Sequence, residues 1–234
     1  MTTNQQLPQL LAQLQRIAEP LDTAARNPWY LLVAICFTVQ RKLDLLVDLV
    51  AFLLSRAQDH SAKVDLLASV REAIFTTGVL YGNPLMINAL LHLRNSVDPH
   101  LLSDTPLRDP TVPVTELHHR GYTYFQSIYG DETDQTLRLL ASVHPDYPYS
   151  ALALIFGPIF HFHGILTQTE TSYCICAALI ANNLPVQSLW HMKGALRLGA
   201  SREQVLAVRQ VVILASGVDE SDVPLPPARS PDLA

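Results

Sequence analysis

The stretch ETSYCICAALIANNLPVQSLWHMKGALRLGASREQV, Glu170 to Val205, sets the register for the whole chain. Its punctuation reads as two helices and the start of a third. The first runs from about Thr167 into Ala177-Ala178-Leu179-Ile180-Ala181, and Asn182-Asn183 stop it because short amides favour turns over helix interiors. Pro185 opens the second helix, where its missing N–H costs nothing. Gly199 suits a left-handed cap at the end of that helix, and Ser201 followed by Gln204 has the spacing of a capping box. The unit is a helical hairpin leading into another helix.

The rest of the chain repeats this manner. Leu7, Leu10, Leu11, Leu14 and Ile17 form one apolar stripe of a helix over residues 4–18, and a short linker lies between Pro20 and Pro28. One helix is expected from Trp29 to about Arg56, apolar on more than one side and so covered by neighbours. A helix from Val64 to Leu80 turns at Tyr81-Gly82-Asn83-Pro84 into another from Leu85 to Val97. With Pro84 laid on Pro185, Ile74 falls on Ile175, Leu80 on Ala181 and Leu90 on His191, so the two hairpins read as one repeated unit whose first copy lacks the histidine. His92 lies two positions further on. A Pro-, Asp- and Thr-rich loop, Asp98 to Glu116, precedes a helix from Thr115 to Tyr129; Asp131 to Asp134 cap the next helix, and His144 to Pro148 turn. Tyr149 to Phe162 is a buried helix with a kink expected at Gly157-Pro158. After Val218 the tail is proline-rich and polar, extended or disordered. No segment alternates like a strand, and the fold class is all-α.

Composition sets bounds on function. Of 234 residues, 49% are apolar and only 16% charged, more apolar surface than a lone subunit comfortably exposes, which points to a homo-oligomer. A net charge of −5 leaves no basic footprint for nucleic acid. Trp29 to Val39 is the most membrane-like run, and Gln40, Arg41 and Lys42 end it short of the ~20 residues a span needs, so no membrane partner is expected. Three cysteines without framework spacing suit a reducing compartment. The terminal Pro-Asp-Leu-Ala is not a Ser-Lys-Leu type signal, and by elimination a cytoplasmic location is expected.

Several residues could carry chemistry. His191 lies one turn after Gln187 and one turn before Ala195, on a mixed face with small neighbours that leaves room for a ligand; an imidazole exchanges protons near neutrality. Glu170 sits at a helix start, where a carboxylate meets exposed N–H groups. His161 and His163 flank Phe162 just before that helix and are candidate pocket residues, as are Cys174, one turn beyond Glu170, and Gln187. A His-x-His pair with His191 and Glu170 has enough donors for a metal, but its spacing suits a strand better, and no metal is expected. Cys174 and Cys176 are two apart, about 200° around a helix, which prevents them from pairing without unwinding.

The order Glu-Thr-Ser helix, Pro-x-Gln link, His191-x-x-x-Ala-Leu-x-x-Gly-Ala-Ser and acidic helix start resembles the carboxymuconolactone decarboxylase family of the AhpD-like superfamily, and is most similar to two-repeat fungal members. The likeness extends through RGYTYFQSIYG, HPDY and IFGPIFHFHGIL to REAIFTTGVLYGNPLMINAL. It implies an AhpD-like helical fold with two degenerate helical-hairpin repeats: residues 1–63 an N-terminal helical extension, 64–110 the first repeat and linker, 111–218 the second repeat, 219–234 a flexible tail. It also implies a cofactor-free decarboxylase or proton-transfer isomerase or cyclase acting on a small carboxylated, lactone or polyketide-like metabolite. His191 would be the general acid/base that lines the active site, with Glu170 near it and no cofactor or metal. Two departures stand out. The glutamate of the bacterial Arg-Glu-Leu pattern falls on Ser172, while Arg71-Glu72 keeps that dipeptide in the copy without the histidine; and peroxidase relatives use Cys-x-x-Cys where this chain has Cys-x-Cys. A non-catalytic small-molecule binder or scaffold is the alternative, and a thiol-dependent hydroperoxidase a further one.

Overall fold

The computed structural model describes residues 3–23 and 26–228, with side chains from residue 7 onward. Ala24 and Ala25 of the expected linker and residues 229–234, with the Pro-Asp-Leu-Ala terminus, lie outside the described residues. Among the described residues the protein is all-α, with no strand. The chain runs through α1 (Thr3–Ile17), α2 (Trp29–Val39), α3 (Leu43–Leu54), α4 (His60–Tyr81) and α5 (Asn83–Ser96). It continues through α6 (Val114–Tyr129), α7 (Thr133–Val143) and the single turn α8 (Tyr147–Tyr149), which passes directly into a π-helix, Ser150–Phe160. The last helices are α9 (Gln168–Ala181), α10 (Pro185–Arg197) and α11 (Arg202–Ser216).

Two buried helices organise the packing. Every residue of α2 is buried, as its all-round apolarity demands, and α9 is buried from Glu170 to Ala181. They pack against one another, with α4 and α11 against both. A second core lies on the other side of α9, where Ile175 and Leu179 meet Tyr124, Phe125, Ile128 and Tyr129 of α6 and Phe156 and Phe160 of the π-helix. α10 packs on both α9 and α6 and closes this core. Within the N-terminal 63 residues, α2 contributes a fully buried helix to the first core.

The expected single helix from Trp29 to Arg56 is broken at Gln40 to Lys42. Arg41 takes φ 57°, Lys42 N–H reaches back to Phe37 O at 2.8 Å and Arg41 N–H to Thr38 O at 3.0 Å. This six-to-one and five-to-two pair of bonds is a Schellman cap. The same cap ends α9 at Asn183 (φ 53°) and α10 at Gly199 (φ 94°). Only the last two carry the Asn or Gly that announces it, which is why the break at Arg41 is not legible.

The expected kink at Gly157-Pro158 takes the form of wider winding. Pro158 has no N–H for the ladder, and the segment closes with His161 N–H on Phe156 O, 2.8 Å, five residues back. Gly157 faces Leu117 O of α6, and Gly121 of α6 faces Leu152 O; a Cβ at either position would run into the opposing carbonyl. The two glycines let α6 and the π-helix pack backbone to backbone. The tail also departs from expectation up to residue 228. Buried Arg209 of α11 donates to Val223 O at 2.8 Å and to Glu220 Oε1 at 2.8 Å, which fixes Glu220–Asp222 as a 3-10 turn and buries Val223.

Candidate functional site

Glu170 stands at the third position of α9 and is 6% exposed. Thr167 and Glu170 form a complete capping box: Glu170 N–H donates to Thr167 Oγ1 at 3.2 Å, and Thr167 N–H donates to Glu170 Oε2 at 2.8 Å. Arg26, from the linker before α2, grips the same carboxylate with Nε on Oε1 at 2.5 Å and Nη2 on Oε2 at 2.8 Å. Its Nη1 donates to Ser69 Oγ of α4 at 2.6 Å. Burial pushes the Glu170 carboxyl upward, but the Arg26 hydrogen bonds and the Thr167 N–H outweigh it and hold the group below the usual carboxylate range. The Glu170 hydrogen bond in turn raises Arg26 above its ordinary value. Glu170 is thus a fixed anion with its lone pairs engaged, suited to structure and poorly suited to proton transfer.

Above this pair opens a cavity of about 1200 Å³, walled by Trp29, Tyr30, Leu53, Leu66, Ile165 and Tyr173. A smaller one of about 330 Å³ lies on the other side of Ile165, and there Glu72 of α4 meets Arg108, whose Nη2 donates to Oε1 at 2.5 Å. Arg108 also lies 4.0 Å over the Phe162 ring and donates to Pro158 O at 2.9 Å. Each central hairpin helix therefore carries a buried glutamate clamped by an arginine from a distant loop. The glutamates were visible in the sequence; the arginines, 144 and 36 residues away along the chain, carried no local signal.

His191 is not with Glu170. It is buried in α10 at 6% exposure, its ring edge-on to Tyr129 of α6 with centroids 6.1 Å apart. The small neighbours expected to leave room are packed: Gly194 presses on Ile128, and Ala195 is buried. Burial lowers the imidazole to about 4, so it is neutral at pH 7. Its Nδ1 has no protein partner. Nor do Tyr124 OH, His161 Nδ1, Thr171 Oγ1 and Ser172 Oγ. Thr171 and Ser172 precede Ile175 and Leu179 at spacings of three, four, seven and eight, so helical periodicity puts them on the α9 face that meets the second core. An unsatisfied buried polar group costs about 1–3 kcal/mol. Five of them would cost roughly 5–15 kcal/mol, as much as the entire net stability of a domain. The protein itself supplies no hydrogen-bond partner for these five groups, which are closed off inside the core.

His161 and His163 come together at the end of the π-helix with ring centroids 5.4 Å apart, and both lie edge-on to Tyr124, at 6.0 and 5.7 Å. Burial lowers both imidazoles. His161 is half-buried and His163 exposed, so the pair runs from the surface to the buried Tyr124 ring. Tyr124 and Tyr129 are five residues apart on α6, roughly 7.5 Å along its axis, which separates this pair from His191. Gln187 is exposed on the first turns of α10. Cys174 and Cys176 are buried free thiols; burial pushes both up, Cys176 to about 12, so neither is a thiolate at neutral pH. The conditions for a reactive dithiol are not met.

No family model matches the chain, and no solved structure matches it. Two curated proteins do. The chain is 35% identical over 176 residues to peroxisomal protein 2 of Saccharomyces cerevisiae, an alignment covering 64% of this chain and 62% of that protein. It is 30% identical over 166 residues to peroxisomal protein 2 of Schizosaccharomyces pombe, covering 71% of this chain and 76% of that protein. The chain thus spans less than two thirds of the budding-yeast relative's length. Both relatives are named for the peroxisome, which overturns the cytoplasmic location expected from the sequence by elimination. With this identity to the fission-yeast protein, and three quarters of that protein covered, the chain belongs to the peroxisomal protein 2 family.

Proposed function

We propose that the second core is a chamber for cofactor-free proton-transfer chemistry on a small carboxylated, lactone or polyketide-like metabolite, carried out in the peroxisome by a degenerate two-repeat protein of AhpD-like type. The observation that carries this reading is the unpartnered Nδ1 of buried His191, with the unpartnered hydroxyls of Tyr124, Thr171 and Ser172 at other places around the same core. Its support from the repeat lies in the two hairpins, α4–α5 and α9–α10, whose helices end within a residue of one another when Pro84 is laid on Pro185. Leu90 then stands for His191, and only the second hairpin carries the group.

A neutral imidazole must take a proton before it can give one, and burial makes His191 a weaker base than a free imidazole. In this reading His191 accepts a proton from carbon in the bound metabolite and returns it to another atom of the same molecule, with the hydroxyls holding the delocalised anion between the two steps. Nothing is lost and nothing is oxidised, so the product is an isomer or cyclised form. Decarboxylation is the related outcome, in which carbon dioxide leaves and the carbanion is protonated afterwards. Glu170, the other candidate, is taken up by Arg26 and acts as a positioning and capping residue. That engagement also favours a second reading, a binder without turnover.

The test is a metabolite comparison by mass spectrometry of the host lacking this protein, complemented with wild type or His191→Phe. The enzyme reading expects a product restored by wild type alone, with the mass of its accumulated precursor for isomerisation. Equal restoration by both forms overturns it and leaves the binder. A fluorescent fusion on the N-terminal side, compared with a peroxisomal matrix marker, checks the location.

A further inference from the structure

The smaller cavity, of about 330 Å³, is lined from α4 by Ala68, Arg71, Glu72 and Phe75, which recur at i, i+3, i+4 and i+7 and so share one helix face. The loop from Ser103 to Arg108 supplies the other side, and it is tied to α4 at both ends: Arg71 Nη1 donates to Ser103 O at 3.3 Å, and Arg108 holds Glu72. Apolar surface in the lining is accessible, with Phe75 37% and Leu107 54% exposed. The charged lining residues are Arg71, Glu72 and Arg108, two cations against one anion. Glu72 is fully engaged: Oε1 receives Arg108 Nη2 and Thr76 Oγ1, and Oε2 receives Arg108 Nη1 at 3.3 Å. Arg108 and Glu72 therefore cancel. Arg71, half-buried, is left with that single hydrogen bond to a neutral carbonyl and no carboxylate partner among the described residues. A guanidinium carries five N–H donors in a fork that matches a carboxylate.

We propose that this cavity binds a small apolar monocarboxylate, with its carboxylate on the Arg71 guanidinium and its hydrocarbon against Phe75, Leu90 and Leu107. The volume stands at the lower end of organic-ligand sites, which limits the occupant to a short chain or a single ring. The cavity shares no lining residue with the His191 core, so the proposal stands independently of the chemistry assigned there.

Ligand-detected NMR with the full chain at pH 7 measures affinity for hexanoate, for hexanamide, which has the same shape without the charge, and for acetate, which has the charge without the chain. The expected result is saturable binding of hexanoate and at least tenfold weaker binding of the other two. Arg71→Gln keeps a donor for Ser103 O and loses the charge-assisted fork, so it is expected to weaken hexanoate at least tenfold with the melting temperature held. Ala68→Leu, which fills the cavity from a half-buried position on α4, is expected to weaken it as well, and folded His191→Phe to leave it unchanged. Hexanamide or acetate binding as tightly as hexanoate, hexanoate binding unchanged in either Arg71→Gln or Ala68→Leu, its loss in folded His191→Phe, or no saturable response to hexanoate overturns the proposal.

Discussion

Replacing Glu170 by glutamine tests whether the buried ion pair holds the N-terminal segment onto α9. Glutamine keeps the length and an acceptor oxygen for the Thr167 N–H, so the capping box survives and the charge alone is lost. Breaking a buried pair costs about 3–5 kcal/mol, because the partner is left charged without compensation. Arg26 is 25% exposed and recovers part of its hydration, so the expected loss is smaller, about 2–3 kcal/mol. For a chain of this length that is a fall of roughly 4–12 °C in melting temperature. The pH dependence follows from the depressed carboxyl. The pair contributes fully above the ordinary glutamate range and is lost as pH falls through the lower folded value, so wild type and variant should differ at pH 7 and converge in acid. Urea denaturation followed by circular dichroism at both pH values measures this. A difference below about 0.5 kcal/mol at pH 7, of the size of an ordinary surface substitution, or one that persists unchanged at pH 3, would refute the reasoning.

Other residues give independent checks. Gly157→Ala places a methyl group against Leu117 O, and overpacking of this kind should cost about 1–3 kcal/mol in chemical denaturation. A thiol reagent at pH 8 should label less than one of the three cysteines per native chain and all three after unfolding, since each is buried. Arg209→Met should release residues 219–228 to rapid amide exchange while α11 stays protected, because the guanidinium is what gathers Val223 O and Glu220. His191, lowered to about 4 by burial, should make the protein lose stability as pH falls from about 6.5 to 4, by roughly 3 kcal/mol at most; His191→Phe should flatten that interval.

The hairpin from α9 to α10 and the start of α11 were legible because each boundary is marked by a residue with one physical role: Asn183 and Gly199 at positive φ, Pro185 at a helix start, Ser201 and Gln204 in a capping box. The break at Arg41 was not, because tertiary packing of α2 and α3 imposes a left-handed residue that local chemistry disfavours. Thr167 could have been found as the partner of Glu170 from its Thr-x-x-Glu spacing. The candidate site was legible as a set of residue types and not as a grouping. His191, Glu170 and the His161–His163 pair occupy three places, and what separates them is long-range packing, the insertion of α6 beside α10 and the reach of Arg26 across to α9. Spacing along one helix cannot encode either.

The proposed function requires His191 to be a neutral imidazole whose free nitrogen meets substrate inside the second core. The direct measurement is nitrogen NMR of protein labelled at its histidines, with His191→Phe assigning the resonances. The His191 signals should stay those of a neutral ring from pH 8 down to 5 and shift when the precursor that accumulates in the deletion host is added. Titration of His191 near pH 6.5, or signals indifferent to that precursor, would contradict it.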